Sequence, residues 1–479
     1  MDSFEKFIVE NENADTVRMV MARREWPVPE DAGLAGLEAK SLAVNTIEGR
    51  RRLRKKLPEW VACTGVVYPS SLCAEQCSSS DTARYKASIV RKIINEYAGA
   101  VASTGSATKG TGSVTDCFLV TEPIEVTEEA DSVTEPKNGK VADLTGGLGV
   151  DSWAFSEVAD EVLYNEMNPA LAVAARHNFK ALGVTNIFIK NSEATPGSLK
   201  DIFEDFKPDV MFLDPARRDS AGKKVFLLED CSPDVLKMLP ELFGISRFIF
   251  LKLSPMADIT MAVERLDRTY EEYLEKTSGK GWNGQWIREV HVVASGGECK
   301  ELLILLDREW EEGYSLTCRE DGKTLTFKHE EITKAKASYP DSTFVRIIFE
   351  PGKSLTKAGM FNAICERFRL VKLARFTHLY TIGEPLSDKE LEQRTAPLKD
   401  FGKVFYVKEI IPLNKASMKD VGKRYPHSEV SAKNIPISSD ELRARLKVKS
   451  GDDAHIFGVR IETPYNEDNY LIVSEPIGH

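Results

Sequence analysis

The chain has 479 residues, of which 42% are hydrophobic and 29% charged, and its net charge is −10. At about 100–200 residues per domain, this length indicates two to four domains, and the composition is that of a globular protein. The first twenty residues lack the basic start and apolar run of a signal peptide, and no stretch is long and apolar enough for a transmembrane helix. We therefore expect a cytoplasmic protein.

The eight cysteines are scattered along the chain, and none forms a Cys-x-x-Cys pair. No Cys/His spacing suits zinc either. We expect reduced thiols and no metal site.

Charge is distributed unevenly. Residues 341–450 carry a net charge of +8, which leaves −18 on the rest of the chain. An acidic body with a basic module favours binding of a polyanion, here a nucleic acid, through that module. A solvated basic surface without a partner is the alternative.

The N-terminal region is predicted to be helical. Residues 1–60 show apolar positions at helical spacing and end in the basic run 50–56, with Pro58 as the expected terminator. This run predicts a solvated helix face, with phosphate contact as the alternative. A second amphipathic helix is expected over 82–98. The Gly-, Ser-, Thr- and Glu-rich segment 99–139 indicates a flexible insertion, with a short strand at 117–120.

Strands and helices alternate regularly after residue 140, which predicts a parallel sheet with helices on both faces. Two final strands, Ile287–Ala294 and Glu301–Leu306, are separated by Ser295-Gly-Gly297 and indicate an antiparallel hairpin. A dinucleotide dehydrogenase would end with another parallel unit instead. The five predicted parallel strands are Val141–Leu144, Glu161–Glu166, Ile187–Lys190, Val210–Leu213 and Phe248–Leu253.

Residues 321–479 are predicted to form one or two small α+β modules. Their expected elements are strands at 344–349, 376–381, 403–411 and 454–461 and helices at 354–367 and 439–446. The expected domain boundaries are 1–98 (helical), 99–139 (insertion), 140–320 (α/β), 321–395 (ferredoxin-like) and 396–479.

The strongest functional signal is Asp143-Leu-Thr-Gly-Gly-Leu-Gly149, directly after a strand. A glycine turn lets backbone approach a ligand closely, and the following helix offers N–H groups to a carboxylate. Asp143 at the strand end can accept the ligand's ammonium group. Because Gly146 and Gly147 are adjacent, the spacing is not the Gly-x-Gly-x-x-Gly of dinucleotide binders.

The ends of the next strands supply further candidates. Glu166 lies twenty-three residues after Asp143, where an acidic side chain can accept ribose hydroxyls, and Met167 beside it can pack on adenine. After the third strand, Ser192 and Glu193 fall where an adenine amine would lie. An exposed glutamate at a strand end is the alternative for Glu166.

The fourth strand ends at Asp214-Pro215, followed by Arg217 and Arg218. Ligands on open α/β sheets bind outside the carboxyl ends of the strands, so Asp214 is expected to face the reacting group. Two arginines beside it suit an anionic substrate. A salt-bridged surface turn is the alternative.

These motifs together resemble class I S-adenosylmethionine-dependent methyltransferases. The glycine loop is similar to that of ribosomal-RNA guanine-N2 methyltransferases and of the trimethylguanosine synthase group. The resemblance is greatest to bacterial methyltransferases with a THUMP-like C-terminal domain and no assigned substrate, and it covers nearly the whole chain except 99–139. The shared segments are Glu75-Gln-Cys-Ser-Ser79, Thr82-Ala83, Tyr85-Lys-Ala87, Asp214-Pro-Ala-Arg-Arg218, Lys252-Leu-Ser-Pro255, Gly297-Glu-Cys-Lys-Glu301 and Asn434-Ile-Pro436.

The resemblance implies a Rossmann-like methyltransferase sheet closed by an antiparallel hairpin, S-adenosylmethionine as cofactor with S-adenosylhomocysteine as product, and RNA bound through a THUMP-like module at 396–479. The predicted cofactor-binding residues are Asp143, Thr145, Gly146, Gly147, Gly149, Asp151, Ser152, Glu166, Met167, Asn168, Ser192, Glu193 and Asp214. The predicted catalytic residues are Asp214, Pro215 and Arg217, and the predicted substrate-binding residues are Gln76, Arg217, Arg218 and Lys252.

The methyl acceptor stays open. Amino-directed relatives have a second proline and an aromatic residue where this chain has Ala216 and Arg217. An arginine plane can also stack on a base, so a guanine exocyclic amine is one possibility among several. Gln76 has a helix-capping segment as its alternative, and Lys252 a strand-terminating turn. Methylation of a small molecule or protein, and RNA binding without catalysis, are the competing functions.

Overall fold

The computed structural model describes residues 1–22, 25–104, 139–217, 228–278 and 285–477. Its contacts divide the chain into two compact units. Among the described residues, the first contains those up to Arg217 together with Leu228–Leu251, and the second contains those from Lys252 onward.

The first unit begins with helices, as predicted. They are α1 (Ser3–Glu10), α2 (Thr16–Ala22), α3 (Ala39–Leu53), α4 (Pro58–Ala62), α5 (Ser71–Gln76) and α6 (Ser80–Thr104), with a 3-10 turn at Ala32–Leu34. Phe4, Phe7 and Ile8 pack with Leu42 and Ile47 in a buried core. Because these positions recur at helical spacing, each helix buries one face. Helix α6 continues six residues past its predicted end.

Pro58 begins a helix rather than ending one. It occupies the first turn of α4, where the missing N–H of proline costs nothing. The basic run before it is engaged within the protein: buried Arg50 donates to the Cys63 carbonyl oxygen, and Arg51 to the carbonyl oxygens of Glu12 and Ala14. These contacts favour a structural role for the run over phosphate binding.

A five-stranded parallel sheet forms the rest of the first unit, in the order β3-β2-β1-β4-β7. The inner strands are mostly apolar and buried, as in sheets covered on both faces, whereas the edge strand at 187–190 is only partly buried and its Phe188 is 52% exposed. The strands are β1 (Lys140–Asp143), β2 (Glu161–Asn165), β3 (Ile187–Lys190), β4 (Val210–Leu213) and β7 (Phe248–Leu253), with a short pair β5 (Ala216–Arg217) and β6 (Cys231–Ser232). The helices are α7 (Val150–Ser156), α8 (Pro169–Ala181), α9 (Leu199–Phe203) and α10 (Val235–Ile245), with a 3-10 turn at Leu228–Asp230.

The second unit contains the predicted hairpin. Its strands pair antiparallel around the turn at Gly296 and Gly297, and both glycines have positive φ. Two further strands follow that were not predicted: the first pairs in parallel with the first hairpin strand, and the second pairs antiparallel with the first of these two. The elements are α11 (Ile259–Ser278), β8 (Ile287–Ser295), β9 (Glu298–Asp307), β10 (Ser315–Glu320), β11 (Lys323–Phe327) and α12 (His329–Lys334).

A seven-stranded sheet follows, in the order β13-β14-β12-β15-β18-β17-β16. Only β16 and β17 pair in parallel among the recorded neighbours. Its strands are β12 (Ile347–Pro351), β13 (Val371–Ala374), β14 (Thr377–Thr381), β15 (Gly402–Pro412), β16 (His427–Lys433), β17 (Lys449–Glu462) and β18 (Glu467–Pro476). Its helices are α13 (Lys353–Ala358), α14 (Ala363–Phe368), α15 (Asp388–Lys399), α16 (Lys415–Arg424) and α17 (Ser439–Leu446).

The predicted α/β class is confirmed, including the hairpin and the C-terminal α+β sheet. Most of the 99–139 insertion, with its proposed strand at 117–120, lies outside the described residues. Within the described residues, no helix is long and apolar enough to cross a membrane, and no cluster of His, Cys, Asp or Glu suits a metal ion.

Candidate active site

Three predicted acidic residues lie at one edge of the parallel sheet. Asp143 ends β1, Glu166 follows β2 and Asp214 follows β4. In the strand register, Asp143 stands between Tyr164 on one neighbour and Phe212 on the other. The chain order of the strands reverses between β1 and β4, and ligands of open α/β sheets bind at such a switch point.

The three glycines of the turn are required for different reasons. A Cβ on Gly146 would lie 2.1 Å from the Tyr164 ring, so the backbone there touches the sheet directly. Gly147 has φ +54° and no close neighbour, so only its backbone conformation favours glycine. Gly149 has φ +95°, and a Cβ on it would lie 2.6 Å from the Phe179 ring. The turn is therefore held tightly against β2 and α8.

Asp143 organises the loop through both carboxylate oxygens. Oδ2 accepts from the Ser152 hydroxyl at 2.6 Å, and Oδ1 accepts from the Thr145 N–H at 3.1 Å. The Thr145 hydroxyl in turn accepts from the Asp214 N–H at 2.6 Å, which joins the ends of β1 and β4. Burial, followed by the negative charges of Asp151 and Asp214, raises the pKa of Asp143 to about 7.

Glu166 is anchored by the same loop. Its Oε2 accepts from the Gly147 N–H at 2.9 Å, and its Oε1 accepts from the Asn168 N–H at 2.8 Å. The Tyr164 hydroxyl donates to the Gly147 carbonyl oxygen at 2.6 Å. Asn168 caps α8, as predicted, by accepting from the Ala170 N–H. The loop and the Glu166 carboxylate thus form one preorganised edge.

Two asparagines that the sequence reasoning missed connect the third strand to this edge. Asn165 donates to the Ser192 carbonyl oxygen at 3.0 Å, and Asn191 donates to the Glu166 carbonyl oxygen at 2.6 Å. Ser192 is exposed, as is its neighbour Glu193. The only sequence signal for these amides was their position at the ends of β2 and β3.

Met167, which was predicted to pack on adenine, is 59% exposed. An apolar side chain this exposed beside Glu166 gives the edge an apolar surface available to a flat ring.

The predicted substrate residues lie in different elements of the chain. Gln76 is exposed at the end of α5 in the first unit, whereas Lys252 belongs to the second unit, 4.0 Å from the Glu301 carboxylate. Arg217 lies in β5, which pairs with β6, and Arg218 lies outside the described residues.

Asp151 has partners that were also missed. Its carboxylate lies 3.0 Å from the Lys86 ammonium and accepts from the Ser78 hydroxyl at 2.8 Å. Both partners belong to shared segments of the N-terminal region, although the sequence alone did not indicate this pairing.

Two family models match the C-terminal part of the chain. A ferredoxin-like domain matches residues 348–388, and a THUMP domain-like family matches residues 402–476. A search of curated protein sequences found no match.

A solved structure matches nearly the whole chain. It is that of a Porphyromonas gingivalis W83 protein described as a methyltransferase, with 25% identity, a TM-score of 0.71, and coverage of 99% of this chain and 98% of that one. The chain therefore shares the fold of that methyltransferase over nearly its whole length. The match includes both the N-terminal helices and the range that the THUMP domain-like family model matches.

Two further solved structures match only part of the chain. One is a T. thermophilus 16S rRNA N2 methyltransferase in complex with AdoMet and guanosine, with 16% identity, coverage of 36% and 38%, and a TM-score of 0.24. The other is a Streptococcus mutans protein described as a methyltransferase, in complex with SAH, with 11% identity, coverage of 36% and 89%, and a TM-score of 0.23.

Proposed function

We propose that this methyltransferase binds S-adenosylmethionine at the edge formed by the glycine turn and Glu166, and transfers its methyl group to RNA. The observation that carries the cofactor assignment is the Glu166 carboxylate. An ionised carboxylate has about four acceptor positions, and backbone N–H groups of Gly147 and Asn168 use two of them. The remaining two suit the paired hydroxyls of a ribose.

The donor set fits the rest of the cofactor. The glycine turn packs closely on Tyr164 and Phe179 and carries no side chains at its glycine positions. A bulky nucleoside can therefore approach the backbone of the turn closely. Asp143 is an acidic group beside that loop and suits an ammonium group. Met167, Ser192 and Glu193 are exposed beside Glu166, where the adenine would extend.

The reaction needs little from the protein beyond orientation. S-adenosylmethionine supplies a methyl group on a sulfonium, so the transfer is already favourable and the site gains rate mainly by alignment. The Thr145 hydroxyl fixes the backbone at Asp214, and Pro215 restricts the turn that follows. In this proposal Asp214 orients the acceptor and takes its proton, with Arg217 and Arg218 holding a base or phosphate.

The support for an RNA substrate is a local cluster of positive charge in the THUMP-like range, not the net charge of that range. Residues 402–476 contain twelve basic and eleven acidic residues, so the THUMP-like match as a whole is almost neutral. Six exposed lysines of this range nevertheless form no ion pair among the described residues. Five of them lie on α16 or just after α17, and we call these the lysine face: Lys415, Lys419, Lys423, Lys447 and Lys449.

The geometry of α16 and α17 explains this face. Lys415, Lys419 and Lys423 recur every fourth residue and therefore share one side of α16. A Cβ on Gly422 would lie 1.9 Å from the Leu446 carbonyl oxygen, so α16 approaches the end of α17 closely, where Lys447 and Lys449 follow. Neighbouring acids are occupied: Asp420 pairs with Arg424, and Asp453 accepts from the His427 N–H.

The cofactor assignment is tested by calorimetry of the full chain with S-adenosylhomocysteine. We expect one site, and we expect Asp143→Ala to abolish binding while Asp205→Ala, which removes an exposed carboxylate of the same unit, leaves it unchanged. Absence of heat with folded wild-type protein would contradict the assignment, as would tight binding by Asp143→Ala.

The RNA assignment is tested by the salt dependence of binding to a fluorescent oligouridylate. Replacing Lys415, Lys419 and Lys423 by glutamine should weaken binding and reduce the slope of log K against log salt by about 2, since each lost phosphate contact of a single strand contributes roughly 0.7. The control replaces three other exposed lysines, Lys200, Lys207 and Lys323, with the same change in net charge. Equal slopes for both variants would refute the lysine face as the RNA contact.

The methylated atom is identified by mass spectrometry of nucleosides from cells with and without the gene. A missing methylated nucleoside supports an RNA substrate and names the atom. Unchanged RNA, together with intact S-adenosylhomocysteine binding, would instead favour a small-molecule or protein acceptor.

A further inference from the structure

A lysine of the N-terminal helices is completely buried against the cofactor loop. Lys86 on α6 is 0% exposed, and its ammonium lies 3.0 Å from the Asp151 Oδ1 and donates to the Ser78 hydroxyl at 2.9 Å. The Ser78 hydroxyl donates to the other oxygen of Asp151 at 2.8 Å. The three side chains form a closed triangle, and all three residues are buried.

A buried ammonium is costly unless it is paired, and breaking such a pair is strongly destabilising. An apolar side chain at position 86 would avoid this desolvation cost, so the presence of a lysine there points to a role for its charge. The pair connects two segments that are distant in sequence: α6 of the helical region and the first turn of α7, which directly follows the glycine loop.

The network continues into the proposed cofactor site. Ser152, the residue after Asp151, donates to Asp143 at 2.6 Å. Asp143 accepts from the Thr145 N–H, and the Thr145 hydroxyl accepts from the Asp214 N–H. Any displacement of the first turn of α7 therefore moves a hydrogen-bond partner of Asp143.

We propose that Lys86 is a positioning residue for the methyl-donor site: it holds the first turn of α7 through Asp151 and offsets the negative charge of Asp151 beside Asp143. This rests on the proposed function of the glycine loop. It assigns Asp151 to the support of the loop, and it makes the N-terminal helical region part of the donor site.

The electrostatics of the loop support the second role. The charged groups that act on Asp143 are Asp151 on α7 and Asp214 after β4, and both disfavour its ionised form. Burial together with these neighbours raises its pKa to about 7. Lys86 is the cation that pairs with Asp151, so its removal leaves an uncompensated carboxylate close to Asp143.

The test is the affinity for S-adenosylhomocysteine, measured by calorimetry from about pH 6 to pH 9, where a group with pKa near 7 titrates. Lys86→Met should weaken binding by about tenfold or more and move the midpoint of its pH dependence upward. Adding Asp151→Asn removes the unpaired charge and should restore most of the affinity. Lys86→Arg should retain more affinity than Lys86→Met, and Arg91→Met, an exposed change on the same helix, should match wild type.

A folded Lys86→Met variant with wild-type affinity would overturn the proposal, and so would a double variant no better than the single one. If Lys86→Met does not fold, Ser78→Ala takes its place. It keeps both charges and should weaken binding severalfold without moving the midpoint; unchanged affinity would overturn the positioning role. Wild-type protein that binds no S-adenosylhomocysteine would instead refute the proposed function itself.

Discussion

Alanine substitutions in the glycine turn should differ sharply in their effect on stability. Gly147→Ala meets no atom closer than 3.9 Å but must adopt φ +54°, which costs about 1–2 kcal/mol. Gly149→Ala combines φ +95° with a 2.6 Å approach to Phe179, so overpacking adds about 1–3 kcal/mol. Gly146→Ala has no positive φ, but its Cβ would lie 2.1 Å from the buried Tyr164 ring, which places it at or above the upper end of that range.

Equilibrium unfolding in urea measures these differences, provided that the denaturant slope stays constant across the variants. We expect Gly147→Ala to be the mildest of the three. Because the strain in Gly146→Ala comes from one ring, adding Tyr164→Leu should be less destabilising than the sum of the two single changes. A Gly147→Ala variant as unstable as Gly146→Ala, or strict additivity with Tyr164→Leu, would refute this account of the turn.

Two pH effects and one affinity effect complete the predictions. The raised pKa of Asp143 means that the folded state binds a proton more tightly than the unfolded state. The proton on Asp143 therefore stabilises the fold at low pH, and this stabilisation is lost between about pH 4 and pH 7. Asp143→Asn should make the free energy of unfolding less dependent on pH in that window. The hydrogen bond from His177 lowers the pKa of Asp31, so the stabilisation from this pair should disappear as the pH falls below 3.8, and Asp31→Asn should remove that dependence in acid titrations followed by circular dichroism. Glu166→Gln should weaken the binding of S-adenosylhomocysteine more than it weakens the binding of an analogue that lacks the 2′-hydroxyl, because only S-adenosylhomocysteine offers both ribose hydroxyls. Calorimetry measures both affinities, and equal losses would contradict ribose recognition.

Three strands of the parallel sheet were predictable because their sequence pattern is local. Ile187–Lys190, Val210–Leu213 and Phe248–Leu253 have the predicted bounds, since each is a short apolar run between turn or helix signals. The strands β10 and β11 were missed for the opposite reason. Arg319 and Glu320 are charged yet buried, so neither alternation nor an apolar run marks the strand.

The candidate site was predictable only where one segment supplies the function. The glycine loop, Glu166 and Asp214 each follow a strand and could be read from the chain. The pairing of Lys86 with Asp151 could not, because 65 positions separate them and an aspartate in a first helical turn already has a local explanation in the helix dipole. Only the packing of α6 against α7 shows that this carboxylate is needed elsewhere.

The arrangement of carboxylates at the sheet edge bears on the charge of the ligand. Glu166 accepts from two backbone N–H groups, whereas burial and the negative charges of Asp151 and Asp214 raise the pKa of Asp143. Its surroundings therefore disfavour the charged form of Asp143 despite the two hydrogen bonds that it accepts. A positively charged ligand stabilises the ionised form of Asp143, so its binding to this edge is favoured. The same carboxylates repel an anionic nucleotide. S-adenosylmethionine carries an ammonium, a sulfonium and one carboxylate, so the acidic edge supports the proposed cofactor over a dinucleotide on electrostatic grounds that are independent of the glycine spacing.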